Sequence, residues 1–143
     1  MKKIPAIKSV MTAFPYWIDV DDNVDSAIKM MSDHDISHLP VKEKGKIIAV
    51  VALHDIKKMD AAIVNFDPTT VLVKDICVLD PYMVELDEPL DNVLVHMANF
   101  HIGSVLVLKN HRLAGVFTMH DACRCFAESL RYQFRVESGD DIA

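Results

Sequence analysis

The sequence predicts an α/β (α+β) fold: two tandem β-α-β-β-α units packed by pseudo-two-fold symmetry. The strongest observation is that the chain repeats itself. Shifted by 66 residues, residues 7–56 lie over 73–122 without a gap. Lys8/Lys74, Pro15/Pro81, Tyr16/Tyr82, Asp25/Asp91, Met31/Met97, Val50/Val116, His54/His120 and Asp55/Asp121 are identical in that window. Self-similarity at one period marks a duplicated structural unit. The second observation is that hydrophobic spacing inside each copy switches between short apolar runs and stripes at helical spacing. The third is size. A unit of about 60 residues buries too little surface to be comfortable alone, so the halves are expected to share a core. The natural division is residues 1–66 for the first repeat with its linker, 67–135 for the second, and an acidic tail at 136–143.

Each copy opens with an extended segment, residues 16–20 and 82–86. Asp21-Asp22 and Asp87-Glu88-Pro89 then read as helix starts, because acids suit the positive end of the helix dipole and Pro is tolerated in the first turn. Val24, Ala27, Ile28 and Met31 follow at helical spacing, as do Leu90, Val93, Leu94 and Met97. Short strands are expected at 39–41 and 105–108. Turns follow at Lys42-Glu43-Lys44-Gly45 and Lys109-Asn110-His111, where Gly45 suits a positive φ. The runs 47–53 and 113–119 are nearly all apolar, as buried strands are. A second helix starts near His54-Asp55 and again near His120-Asp121. The last helix carries a stripe of Ala122, Phe126, Leu130 and Phe134. Asp67-Pro68-Thr69-Thr70 reads as a linker turn.

Composition excludes several classes. With 51% hydrophobic residues and four Gly in 143, disorder is not expected. A net charge of −6 disfavours nucleic acid, whose phosphates need clustered Lys and Arg. No apolar run approaches the roughly 20 residues that span a bilayer, and the start lacks a signal-peptide core. A cytoplasmic protein is therefore expected, with no membrane partner. Cys77, Cys123 and Cys125 have no disulfide-framework spacing and read as reduced thiols. No Cys/His set completes a metal site. No nucleophile elbow, Gly-rich loop before a Lys, or acidic metal pair appears, so no catalytic residues are assigned and enzyme activity is not expected.

Tandem units of this order and length resemble the cystathionine-β-synthase (CBS) domain, and the pair resembles a Bateman module. The landmarks are Ser9-Val10-Met11-Thr12, His38-Leu39-Pro40-Val41 and Gly115-Val116-Phe117-Thr118-Met119-His120-Asp121. The resemblance covers the chain from about residue 7 to 130. It implies a ligand signature Gly-x-x-Ser/Thr-x-x-Asp at a strand-to-helix junction, matched in the second copy by Gly115, Thr118 and Asp121. The chemistry fits: Gly lets backbone approach a ligand, a hydroxyl donates to ribose or phosphate, a carboxylate accepts from ribose hydroxyls, and helix-start amides favour phosphate. The first copy keeps Asp55 but has Ala49 and Ala52 at the other two positions. The resemblance further implies clefts that borrow from the opposite copy. Met11, Thr12, Ala13, Ile36 and His38 would line the Asp121 cleft, with His120 beside it. Cys77, Val78, Ile102 and Ser104 would line a weaker Asp55 cleft. His38, His120 and Arg124 form a thin cationic set, which favours ligands with few phosphates.

The residues also admit plainer readings. Asp121 and Asp55 can each cap the helix they begin. His54 and His120 recur at a structural junction rather than in a metal set, although imidazole titrates near neutrality. Met30, Met31, Met59 and Met97 suit packing. The resemblance implies a stand-alone regulatory module that needs no cofactor. It would bind an adenosine-containing regulatory ligand (AMP, ADP, ATP or S-adenosylmethionine), form a homodimer, and pass its signal to an effector protein. The alternative is a ligand-independent dimerisation or interaction module.

Overall fold

The computed structural model describes residues 3–13 and 15–142, with side-chain surroundings through residue 135. It is a mixed α+β fold with two four-stranded sheets and four α-helices among the described residues. The order is β1 (Thr12–Ala13), β2 (Ile18–Asp19), α1 (Val24–His34), β3 (His38–Glu43), β4 (Lys46–Ala52), α2 (Leu53–Ala62), β5 (Val78–Leu79), β6 (Met83–Glu85), α3 (Leu90–Phe100), β7 (Ser104–Lys109), β8 (Arg112–Thr118) and α4 (Met119–Ile142). The expected strands and helices are all present within a few residues. Two strands, β1 and β5, are additional.

Those two short strands define the architecture. One sheet runs β2-β3-β4-β5 and the other β1-β8-β7-β6. β1 of the first repeat therefore sits on the second repeat's sheet, pairing Thr12 with Val116 and Ala13 with Gly115. β5 of the second repeat sits on the first, pairing Val78 with Val50 and Leu79 with Ala49. The backbone around them repeats the exchange. The Ile7 and Lys8 amides donate to the Glu88 and Leu86 carbonyls, and the Val73 and Lys74 amides donate to Asp22 and Val20. Each repeat thus lends its leading segment to its neighbour.

This exchange corrects the expectation of one shared core. Two apolar clusters form instead. One holds Ile18, Val24, Ala27, Met31, Leu39, Val41, Val51 and Ile56, completed by Val73 from the second repeat's leading segment. The other holds Leu90, Val93, Met97, Val105, Val107 and Phe117, completed by Ile7 from the first repeat's. Leu106 and Val116 are buried too but lie outside both clusters. The units are bound by swapped segments as well as by surface contact.

Local chemistry explains the element ends. The N-cap of α1 lies one residue after the expected acids: it is Asn23, and its Oδ1 accepts from the Ser26 amide at 2.8 Å. α1 and α3 both end on a left-handed residue, Asp35 (φ 52°) and His101 (φ 54°). The following Ile36 and Ile102 amides return to the Met31 and Met97 carbonyls, a Schellman-type closure. In the linker, Asp67 Oδ1 accepts from the Thr69 amide and hydroxyl, forming the expected turn. Those bonds hold the exposed Asp67 carboxyl below its usual pKa. The segment 136–143, read from sequence as a tail, is helical through Ile142 as the end of α4.

The two β-hairpins close through two-residue turns in which both residues have positive φ, the geometry that matches strand twist. In the first the residues are Lys44 (51°) and Gly45 (79°); in the second they are Asn110 (50°) and His111 (66°). His111 stands where the repeat has Gly45 and carries a Cβ in a conformation that disfavours one. His111→Gly is expected to stabilise the protein by about 0.5–1 kcal/mol, because relief of the left-handed penalty exceeds the added unfolded-state freedom of Gly. Urea denaturation of the two proteins measures it, and an unchanged midpoint would contradict it.

Candidate functional site

The second repeat's strand-to-helix junction builds a compact polar cluster. β8 ends at Thr118 and α4 begins at Met119, so Thr118 is the N-cap and Asp121 the third helical residue. Among the described residues, Asp121 is one of two buried polar ones, 5% exposed. Its Oδ2 accepts from the Thr118 amide at 2.9 Å and from Thr118 Oγ1 at 3.3 Å. This is the reach-back half of a capping box. Its Oδ1 pairs with Arg124 Nη2, one turn along the helix. The first helical amide, Met119, is spent on the Gly103 carbonyl, so it is not free for a phosphate.

Gly115 stands three residues before Thr118 on β8, but the space above it is filled by protein. A Cβ there would lie 2.8 Å from the Thr12 carbonyl oxygen and would overlap Met11 Sδ. The glycine lets β1 close on β8. Met11, Thr12 and Ala13 are therefore brought to the Gly115 strand. Met11 and Ala13 also line an open depression of about 750 Å³ with Leu86, Lys109, Asn110, Arg112, Leu113 and Ala114, at the hairpin end of the sheet. Thr118 and Asp121 do not line it. His120 is exposed, as is His54 in the first repeat, so neither is fixed by packing.

The first repeat's junction is different. Ala52 caps α2 without any side-chain bond, and among the described residues Asp55 makes no hydrogen bond or ion pair. Burial lowers the His38 pKa below 6.5, and the Asp55 charge opposes that shift. His38 Nδ1 lies 3.1 Å from Ser37 Oγ. Its Nε2 faces the second repeat, 3.5 Å from where a Cβ on Gly103 would stand. The register explains the placement: His38 lies opposite Ala52, the last residue before α2, and Ser104 lies opposite Thr118, the last before α4. The register sets the backbone of each beside its own repeat's junction, while the His38 ring reaches toward Gly103 of the second repeat. Ile36 is half-buried against the first cluster and Ile102 against the second. Cys77 packs half-buried on the first cluster, and burial raises its thiol pKa; Val78 is exposed on β5. The sequence reading did not single out the Arg124 pairing with Asp121, although their i, i+3 spacing on one helix was its signal.

Known proteins place this geometry. The CBS domain family model matches twice, at residues 7–61 and 73–128. The chain belongs to the CBS domain family. Solved CBS domain pairs share the fold. The CBS domain pair of protein MJ0100, in complex with 5′-methylthioadenosine and S-adenosyl-L-methionine, superposes with a TM-score of 0.78 at 25% identity, covering 89% of this chain and 99% of that one. A crystal structure described as a putative acetoin utilization protein (AcuB) from Vibrio cholerae has a TM-score of 0.76 at 19% identity, covering 93% and 98%. Among curated sequences, L-aspartate semialdehyde sulfurtransferase of Methanocaldococcus jannaschii is 28% identical over 86% of this chain but only 23% of its own length. The chain thus spans about a quarter of that relative. Protein YlbB of Bacillus subtilis is 32% identical over 80% of this chain and 78% of its own length. No helix of the described residues is long and apolar enough to cross a membrane, and no cluster of three His, Cys, Asp or Glu among them could hold a metal ion.

Proposed function

We propose that this CBS pair is a regulatory module, not an enzyme, which binds an adenosine-containing ligand at Asp121 and relays its occupancy to a protein partner. One observation carries the reading: a buried carboxylate seated on Thr118 at the end of the Gly115-x-x-Thr118-x-x-Asp121 strand. A carboxylate held there can accept both hydroxyls of a ribose. The MJ0100 pair, which holds S-adenosyl-L-methionine and 5′-methylthioadenosine, supports the same ligand class. The local cations support few phosphates, because Arg124 is the one guanidinium paired at Asp121 among the described residues and the Met119 amide is spent on Gly103. A ligand with few phosphates, or of the S-adenosylmethionine type, fits better than ATP.

A second reading has its own observation. Phe126 and Phe134 on α4 are 66% and 58% exposed, and Leu130 lies between them at the same spacing. An apolar seam along a surface helix suits pairing with a second copy, as a homodimer or as an interaction module without ligand. A thermal-shift panel of adenosine, 5′-methylthioadenosine, S-adenosylmethionine, AMP and ATP separates the readings. A ligand at about 100 times its dissociation constant stabilises by about 2.7 kcal/mol, enough to move the melting point by several degrees. A shift with the low-charge adenosine compounds supports the sensor. A flat panel, with a dimer in sedimentation that Phe126→Glu disperses, supports the module.

A further inference from the structure

We propose that Arg124 is a latch on the ligand-binding carboxylate: ribose must displace it from Asp121, and the freed guanidinium then favours ligands that carry an anionic group. This rests on the reading of Asp121 as a ribose acceptor. The Asp121 side chain is 7% exposed, and both of its oxygens are engaged within the chain. The two are not equally replaceable. Oδ2 is bound by the backbone amide and hydroxyl of Thr118, at the fixed end of β8. Oδ1 is bound by Arg124, whose side chain is 51% exposed on a flexible stem. An incoming diol therefore competes for Oδ1, where the present partner can leave into solvent.

The released group still has a use. A guanidinium has five donors in a planar fork suited to carboxylates and phosphates, and it cannot lose its charge. Freed from Asp121, Arg124 stays within one helical turn of the bound ribose and is open to an anionic substituent on the ligand. A neutral nucleoside breaks the ion pair and offers nothing in return. An anionic ligand offers the guanidinium a new partner.

The latch belongs to one copy. The first repeat has Lys58 at the position of Arg124. Lys58 is exposed and makes no ion pair with Asp55 among the described residues. The Asp55 charge acts on His38. The two carboxylates therefore start from different states, one closed by a cation of its own helix and the other open.

Adenosine and AMP are the probes, titrated by calorimetry into the whole chain as wild type, Arg124→Gln and Arg124→Lys. Removing a hydrogen bond to a charged group is worth roughly a decade in affinity. Arg124→Gln is expected to bind adenosine about three- to tenfold more tightly and to bind AMP no more tightly than wild type. The ratio of AMP to adenosine affinity then falls about tenfold, and Arg124→Lys falls between. A ratio, read within each protein, cancels any general loss of stability. If wild type binds both probes, Asp121→Ala abolishes both, and Arg124→Gln leaves the ratio unchanged, the latch is overturned while the ribose site stands. If neither probe binds any of these proteins, both the latch and the site fall.

Discussion

Asp121→Ala is expected to reduce affinity for an adenosine-type ligand about a hundredfold or more and to destabilise the protein by about 1–2 kcal/mol. The two effects have different causes. On the proposed role of Asp121, the loss of ligand binding follows from removing an acceptor of two ribose hydroxyls; each charge-assisted hydrogen bond is worth about 1.5–3 kcal/mol, or one to two decades. Loss of stability follows from the cap: without the carboxylate the Thr118 amide loses its acceptor and Arg124 its partner. Caps removed in this way typically cost about 0.5–2 kcal/mol. Asp121→Asn separates the two. Its amide oxygen can still accept from Thr118, so most of the cap survives, whereas the NH₂ turned toward Arg124 repels a donor and cannot accept a diol. Ligand affinity should fall nearly as far as in the alanine variant, with less than half the loss of stability. Calorimetry and urea denaturation of both variants give the comparison. Stability lost without any change in affinity would reduce Asp121 to a cap. Asp55→Ala serves as the internal control. Asp55 makes no cap bond among the described residues, and its removal should change stability by less than about 0.5 kcal/mol.

The parts of this fold that were legible from sequence are those whose signal is local. Val24, Ala27 and Met31, or Leu90, Val93 and Met97, are spaced as one helix face is spaced, and they are the residues α1 and α3 bury. The hairpins β3–β4 and β7–β8 were legible because apolar runs flank turn residues. β1 and β5 were not, because two residues carry no period and their partners lie in the other repeat. The α4 stripe shows the limit of spacing as evidence. Ala122, Phe126, Leu130 and Phe134 have helical periodicity, yet Phe126 and Phe134 are exposed. Period says that residues share a face and not what the face meets. His38 carries no local signal of its neighbours: the family resemblance places it at the Asp121 cleft, its Nε2 lies 3.5 Å from the Cβ position of Gly103 in the second repeat, and the Asp55 charge of its own repeat acts on it. Thr118 and Asp121 were legible as a pair because three residues across a helix start is a local distance. Arg124 is local too, but its role depends on Asp121 being buried, which only tertiary packing decides.

Gly115→Ala carries the other large expected effect, a destabilisation of about 1–3 kcal/mol, and it tests what the signature glycine is for. If the glycine serves only a ligand's approach, alanine should leave the ligand-free protein unchanged. The structure requires otherwise. The added Cβ would lie 2.8 Å from the Thr12 carbonyl oxygen, which is backbone, and would overlap Met11 Sδ, which is the flexible end of a side chain. Met11 can swing aside; β1 can only retreat from β8. Retreat loosens the pairing of Thr12 with Val116 and Ala13 with Gly115, and with it the segment that delivers Ile7 to the second cluster. Overpacking of this kind costs about 1–3 kcal/mol. Met11→Ala in the same chain should recover part of the loss, because it removes the side-chain overlap and leaves the backbone contact. The two substitutions should therefore be non-additive, with a coupling of about 0.5 kcal/mol or more in a double-mutant cycle. The first repeat gives a reason to trust the sign. There the corresponding position is Ala49, fully buried and paired with Leu79 of β5, so that swapped strand has been built to clear a methyl group. Gly115→Ala asks β1 to do the same with Met11 and Thr12 in the way. Full additivity, or a Gly115→Ala protein as stable as wild type, would return the glycine to the ligand alone.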